Sequence, residues 1–132
     1  MLIRPIESSQ EIEAASELLR LANWSKRVSD PATLSALVQR SQLALVAIED
    51  GNVIGFLRGL TDGIFNGYIS MLVVAEAHRG KGVGSALVRA AIGENKEMTW
   101  VLRAGNESVG AFYEKLGFST SRVAMERRGQ RD

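Results

Sequence analysis

Val73-Val74-Ala75-Glu76-Ala77-His78-Arg79-Gly80-Lys81-Gly82-Val83-Gly84-Ser85-Ala86-Leu87 is the stretch whose reading decides the fold. The run from Tyr68 to Ala75 is the most apolar in the chain and reads as a central strand. Val83, Ala86, Leu87, Ala90 and Ala91 then recur at the spacing of one helical face. Between strand and helix lie a short loop and three alternate glycines. The first N–H groups of a helix have no partner within it, and glycine lets an anion approach them closely. The helix dipole adds favourable potential at the same point. Arg79 and Lys81 supply formal positive charge there. Strand, loop, cations and helix together describe a phosphate or pyrophosphate site.

Spacing excludes two such sites. A P-loop requires G-x-x-x-x-G-K followed by Ser or Thr, but Lys81 is followed by Gly82, and position 75 is Ala. A dinucleotide fingerprint requires G-x-G-x-x-G, normally on the first strand, whereas Gly80-x-Gly82-x-Gly84 falls past mid-chain.

Working outward, Leu2 to Ile6 reads as a strand. Ser8 or Ser9 caps a helix carrying Ile12, Ala15, Leu18, Leu19 and Ala22 on one face. Asn23 to Asp30 reads as a polar loop, and Pro31 sits in the first turn of a second helix. Leu43 to Ile48 and Val53 to Leu60 are strands joined through Asp50-Gly51, a strong hairpin signal. Met98 to Arg103 is a further strand. A last helix carries Val109, Phe112, Tyr113 and Leu116 on one face and ends at Gly117, and Phe118 to Arg127 reads as a closing strand or strand pair. The order β-α-α-β-β-β-α-β-α-β predicts an α/β (α+β) fold with a mixed, mostly antiparallel central sheet flanked by helices.

Composition agrees with one domain over residues 1–132, 45% hydrophobic and 23% charged. Surface scaling expects a folded area near ~6,800 Å². A net charge of +1 argues against wholesale binding of nucleic acid or of an anionic membrane. The absence of cysteine excludes a thiol nucleophile and a Cys-based zinc site, and the single histidine, His78, excludes a His-rich metal cluster. The longest apolar run, Leu43 to Ile48, is far short of the ~20 residues that span a bilayer. A cytoplasmic location is the simplest expectation. The 13 glycines are about 10% of the chain against a usual ~7%.

At Arg79-x-x-Gly82-x-Gly84 the sequence resembles the GNAT superfamily of acyl-CoA-dependent N-acetyltransferases. A second stretch, Asn106-Glu107-Ser108-Val109-Gly110-Ala111-Phe112-Tyr113-Glu114-Lys115-Leu116-Gly117-Phe118, is similar to that family's other signature, an Asn followed seven residues later by Tyr and then by Leu-Gly-Phe. The resemblance implies a GNAT-like fold and acetyl-CoA as cosubstrate, with its pyrophosphate cradled by Arg79, Gly80, Lys81, Gly82, Val83, Gly84 and Ser85. It also implies that the pantetheine arm runs beside Leu72, Val73 and Val74, where a bulge would splay the strand, and that Asn106 contacts the same arm. Tyr113 is implied as the general acid for the departing thiolate, and no metal is called for. As a residue on an apolar helical face, Tyr113 has packing as its alternative explanation, and Asn106 is also a good helix cap.

The implied reaction is transfer of acetyl to a primary amine of a small molecule or peptide. A non-catalytic acyl-CoA-binding module is the alternative, and a nucleotide-binding module a third. No general base stands out: His78, Asp62, Glu76 and Glu107 are each explained by loops, turns or a helix start. The acceptor is expected between Trp24-Ser25-Lys26-Arg27 and the turn from Thr61 to Tyr68. Trp24 there reads as a pocket wall or as partial core. Arg122, Arg127, Arg128 and Arg131 read as a solvated strand edge and tail. The resemblance leaves room for a homodimer, which no residue pattern in the chain requires.

Overall fold

In the computed structural model, which describes residues 1–130, Asp50 and Gly51 both adopt positive φ, 50° and 77°. That is the signature of a two-residue type I′ turn. It joins β2 (Leu43–Glu49) to β3 (Asn52–Thr61) with Glu49 opposite Asn52. β1 (Leu2–Pro5) pairs antiparallel with β2, β4 (Asn66–Val74) antiparallel with β3, and β5 (Thr99–Leu102) parallel with β4. The sheet order is therefore β1-β2-β3-β4-β5, mixed and mostly antiparallel as the sequence predicts.

Helices cover both faces. α1 (Ser9–Leu21) is capped by Ser8, whose Oγ accepts the Glu11 N–H at 3.2 Å. The Glu11 carboxylate reaches back to the Glu7 N–H at 2.8 Å and accepts two hydrogen bonds from the Arg4 guanidinium, tying the helix start to β1. α3 (Pro31–Gln39) starts on Asp30, whose carboxylate accepts the Thr33 N–H at 3.1 Å. α1 and α3 bury Ala15, Leu19 and Leu34 against Val46, Phe56, Met71 and Val73. On the other face α4 (Val83–Ile92) and α5 (Glu107–Glu114) pack Leu87, Val88 and Tyr113 against Leu45, Leu57 and Ile69. α4 lies directly on β3: a Cβ at Gly55 would fall 2.9 Å from Leu87 Cδ1 and 3.1 Å from Val83 Cγ1.

Two expectations are corrected. The stretch from Asn23 to Asp30 is not all loop but contains one helical turn, α2 (Lys26–Ser29). Its polar residues cap rather than break, Ser25 Oγ accepting the Arg27 N–H at 3.2 Å. The closing strand over Phe118–Arg127 does not form. Phe118 still packs on the core, but Ser121 Oγ accepts the N–H groups of Val123 and Ala124 at 3.1 and 2.9 Å, bending the chain where a strand would continue. Val123 and Met125 are left 89% and 98% exposed. This exposed stretch contributes to a surface of 9096 Å², well above that of a compact chain of the same length.

Candidate active site

β4 and β5 are paired over only four rungs, from Asn66↔Thr99 to Ile69↔Leu102. Opposite, β3 skips one residue of β4, since Arg58 faces Met71 while Gly59 faces Ile69. Ser70 is thus a bulge, and it sits where β4 and β5 part. Among the described residues, the β5 side of β4 has no strand partner from Ser70 to Val74, so the two strands form a fork. Ala75 N–H donates to Ile54 O on β3 at 2.8 Å, and strand alternation therefore turns the N–H and C=O groups of Leu72 and Val74 into the fork. Val73 points its side chain into the α1 core. The bulge that the resemblance placed near Leu72 to Val74 lies at Ser70.

The fork leads directly into the glycine turn. Gly80 and Gly82 have φ of 75° and 87°, a left-handed conformation that glycine adopts without strain. Gly82 is the N-cap of α4 and has no side chain to offer, so the N–H groups of Val83, Gly84 and Ser85 at the helix start carry no side-chain cap. No acidic residue stands in that first turn. Arg79 and Lys81 are exposed beside it, and Arg79 Nε donates to Val74 O at 3.0 Å, which fixes the cation to the end of the fork. Val83 points inward and is buried.

The two sequence signatures meet in space. A Cβ at Gly84 would lie 3.2 Å from Phe112 Cζ and 3.7 Å from Val74 Cγ2, so α4, α5 and the end of β4 converge there. Asn106 caps α5, its Oδ1 accepting the Val109 N–H at 3.0 Å. Tyr113 is buried, with Phe112 and Phe118 edge-on at centroid distances of 5.0 and 5.5 Å. Burial pushes its phenol above the ordinary value of 10.0, so the hydroxyl keeps its proton at neutral pH. Left-handed Gly117 closes the turn after α5, with the Phe118 N–H on Tyr113 O at 3.2 Å.

The carboxylates have structural duties. Asp62 Oδ1 accepts three N–H groups, from Asn66 at 3.1 Å, Ile64 at 2.7 Å and Phe65 at 2.8 Å, and these hold its pKa down to about 2. Glu76 opens the single 3₁₀ turn after β4, and Glu107 the first turn of α5; both are exposed. His78 lies in that 3₁₀ turn, its Nε2 3.8 Å from a Glu49 oxygen, away from Tyr113 in chain and element. Trp24 packs against the α1 core as a half-buried residue. Lys26 and Arg27 are exposed.

Among the described residues, two of the surface depressions bear on the site. One, about 570 Å³ between the C-terminal end of α4 and Trp100, lies at the opposite end of that helix from the glycine turn. The other, about 470 Å³, includes Gln42, Leu60, Asp62, Tyr68, Thr99 and Val101. It occupies the face that α1 and α3 cover elsewhere, close to the β4–β5 rungs. Sequence reasoning missed Arg58, the one charged residue in β3, and the Ser70 bulge that it holds. A lone arginine inside an apolar strand was the available signal for the first.

Residues 40–120 match the family model described as an acetyltransferase (GNAT) domain. The chain is 35% identical over 85 residues to the N-alpha-acetyltransferase MAK3 of Arabidopsis thaliana, an alignment covering 58% of this chain and 45% of that one. It is 30% identical over 92 residues to N-alpha-acetyltransferase 30 of Schizosaccharomyces pombe, covering 61% and 59%. The chain thus spans about half the length of the curated relatives it matches. The crystal structure of Ard1 from Thermoplasma volcanium superimposes with a TM-score of 0.74 at 26% identity, covering 91% of this chain and 83% of that one. With the forked sheet, the glycine turn and the second signature packed against it, the match over residues 40–120 shows that this chain belongs to the GNAT acetyltransferase family.

Proposed function

We propose that this protein transfers the acetyl group of acetyl-CoA to a primary amine by direct attack within a ternary complex. The observation that carries the reading is the convergence of the β4–β5 fork, the uncapped start of α4 and α5, which meet where Gly84 lies against Phe112 and Val74. In this reading the amides from Gly80 to Ser85, with Arg79 and Lys81, bind the pyrophosphate. The Leu72 N–H and C=O and the Val74 N–H, with Asn106, hold the pantetheine arm. A backbone N–H in the fork polarises the thioester carbonyl. The amine nitrogen then attacks that carbon, the C–S bond breaks, the Tyr113 phenol donates its proton toward the leaving sulfur, and the amine proton returns through water to the phenolate.

An alkylamine with a pKa near ~10.4 is only about one part in 2,500 neutral at pH 7, so the acceptor enters as its rare neutral form or loses its proton through a water relay. An α-amino group, with an unperturbed pKa near ~8, meets this requirement far more easily. The N-alpha-acetyltransferases that the chain resembles point the same way. The acceptor approaches from the depression at Leu60, Tyr68 and Val101, between the Thr61 to Tyr68 turn and the α1–α3 side.

The test is release of free CoA thiol from acetyl-CoA across N-terminal peptides, amino acids, polyamines and aminoglycosides. Acceptor-dependent release with a mass gain of one acetyl group is expected. Calorimetric binding of acetyl-CoA without turnover on any amine would leave a binding module instead. Failure to bind acetyl-CoA at all would overturn both readings.

A further inference from the structure

Arg58 occupies an unusual electrostatic position. Its side chain is half-buried, and burial lowers its pKa from the ordinary 12.5, with Tyr68 near enough to offset part of the effect. No carboxylate pairs with it among the described residues. Its partners are two neutral hydroxyls: Nε donates to Ser41 Oγ at 2.7 Å and Nη1 to Ser70 Oγ at 2.9 Å. Ser41 in turn donates to Leu37 O at 2.6 Å, so the anchor is itself fixed. A guanidinium has five N–H donors, and three of these remain. Proteins seldom leave a partly desolvated cation without an anion.

The position is as informative as the missing partner. Arg58 shares its face of β3 with Phe56, the face toward α1 and α3. Ser70, which it grips, is the bulge at the mouth of the β4–β5 fork. Tyr68 lines the open depression on that same face. Asp62 also lines it, but its Oδ1 is filled by three backbone N–H groups. The guanidinium therefore stands between the fork and the depression, with donors free and no protein anion to use them.

We propose that Arg58 is a specificity residue that binds a carboxylate carried by the amine acceptor. A planar guanidinium anchored through Nε and Nη1 keeps both Nη2 N–H groups to donate to a carboxylate. Anchored at the mouth of the fork, it holds the acceptor with its amine turned toward the thioester. The inference rests on the acetyl-transfer reading for its setting, but the anion site has a readout of its own.

The experiment uses matched probes: Glu-Ala-Ala-amide against Gln-Ala-Ala-amide, and β-alanine against β-alaninamide. The wild-type protein is expected to favour the carboxylate member of a pair about tenfold in kcat/KM, the scale of one hydrogen bond to a charged group. Because Arg58 also holds the Ser70 bulge, the readout is the ratio of kcat/KM within each pair: Arg58→Gln should bring that ratio to about one, while Arg58→Lys keeps part of the preference. Equal use of both members by the wild-type protein, or a preference that survives in Arg58→Gln, would each overturn the proposal. The wild-type comparison stands even if a variant folds poorly. Calorimetric titration of the same probes into the CoA-saturated protein separates the two readings. Carboxylate-dependent binding that Arg58→Gln loses, without turnover, keeps the anion site and removes the acetyl-transfer reading. Identical binding of both members removes the anion site.

Discussion

Gly67→Ala tests whether the fork is held in the register described. Gly67 lies opposite Trp100 in the short parallel pairing of β4 with β5. A Cβ at Gly67 would fall 2.3 Å from both Cε3 and Cζ3 of the indole, and ordinary contact begins near 3.4 Å. The ring would therefore have to retreat by about 1.1 Å. Its freedom is limited, since Trp100 packs on the core beside Leu102 and its Nε1 is enclosed. β4 cannot yield instead, because its other edge is hydrogen-bonded to β3. Overpacking of this kind costs about 1–3 kcal/mol. Alanine recovers about 0.5–1 kcal/mol of backbone entropy relative to glycine in a strand. The net expectation is a loss of about 1–2 kcal/mol in urea unfolding, with a changed Trp100 emission and a higher KM for acetyl-CoA as β5 is pushed from the fork. Trp100→Leu in the same chain should relieve the clash. A double-mutant coupling within about 0.5 kcal/mol of zero would refute the contact and the register with it.

Other perturbations give equally direct outcomes. Gly110 is in α5 with nothing near its would-be Cβ, so Gly110→Ala should stabilise the protein by about 0.5–1 kcal/mol in thermal or urea unfolding. Glu11 is held at about 2 by the Arg4 guanidinium and the Glu7 N–H, against 4.5 when unfolded. Its contribution is present above pH 4.5 and is lost as pH falls through 2, so the stability gap between the parent and Glu11→Gln should close across that window in acid titration. Asp62→Asn keeps an oxygen for the three backbone donors, so the pH profile of kcat/KM should be unchanged. Loss of its acidic limb would instead make Asp62 the general base.

What the sequence made legible was local. The Asp50-Gly51 hairpin, the Ser8 cap, Pro31 at a helix start and Gly117 at a helix end depend on φ preferences or on side chains three residues away. The glycine turn was legible for the same reason, because strand, turn and helix are contiguous in the chain. The fork was legible only through the family resemblance and not from the residues, because it depends on where β5 stops pairing with β4, some thirty residues apart, and on the bulge at Ser70. The closing strand failed on a local detail, the Ser121 hydroxyl that captures two successive N–H groups. Arg58 was passed over because a charge within an apolar strand has meaning only once its neighbours are known to be hydroxyls.

Tyr113 joins the two levels, and its dual character sets the size of the last prediction. The burial that packs it between Phe112 and Phe118 also raises its pKa, so one environment makes it core and keeps it protonated. A raised pKa makes it a weaker acid. An ordinary thiol ionises near ~8.5 and an ordinary tyrosine near ~10, so full proton transfer from a raised phenol to a free thiolate runs uphill by more than about 1.5 units. In the proposed reaction Tyr113 would therefore act mainly by hydrogen-bonding the sulfur as charge develops, with transfer completed only as the amine gives up its own proton. That places the effect of Tyr113→Phe at the lower end of general acid catalysis, a fall of about a hundredfold in kcat. Phenylalanine keeps the edge-on packing, so unfolding stability and the KM for acetyl-CoA should change little. Unchanged turnover would remove Tyr113 from the chemistry and leave it as core, whereas a rise in KM with kcat intact would make it a binding contact alone.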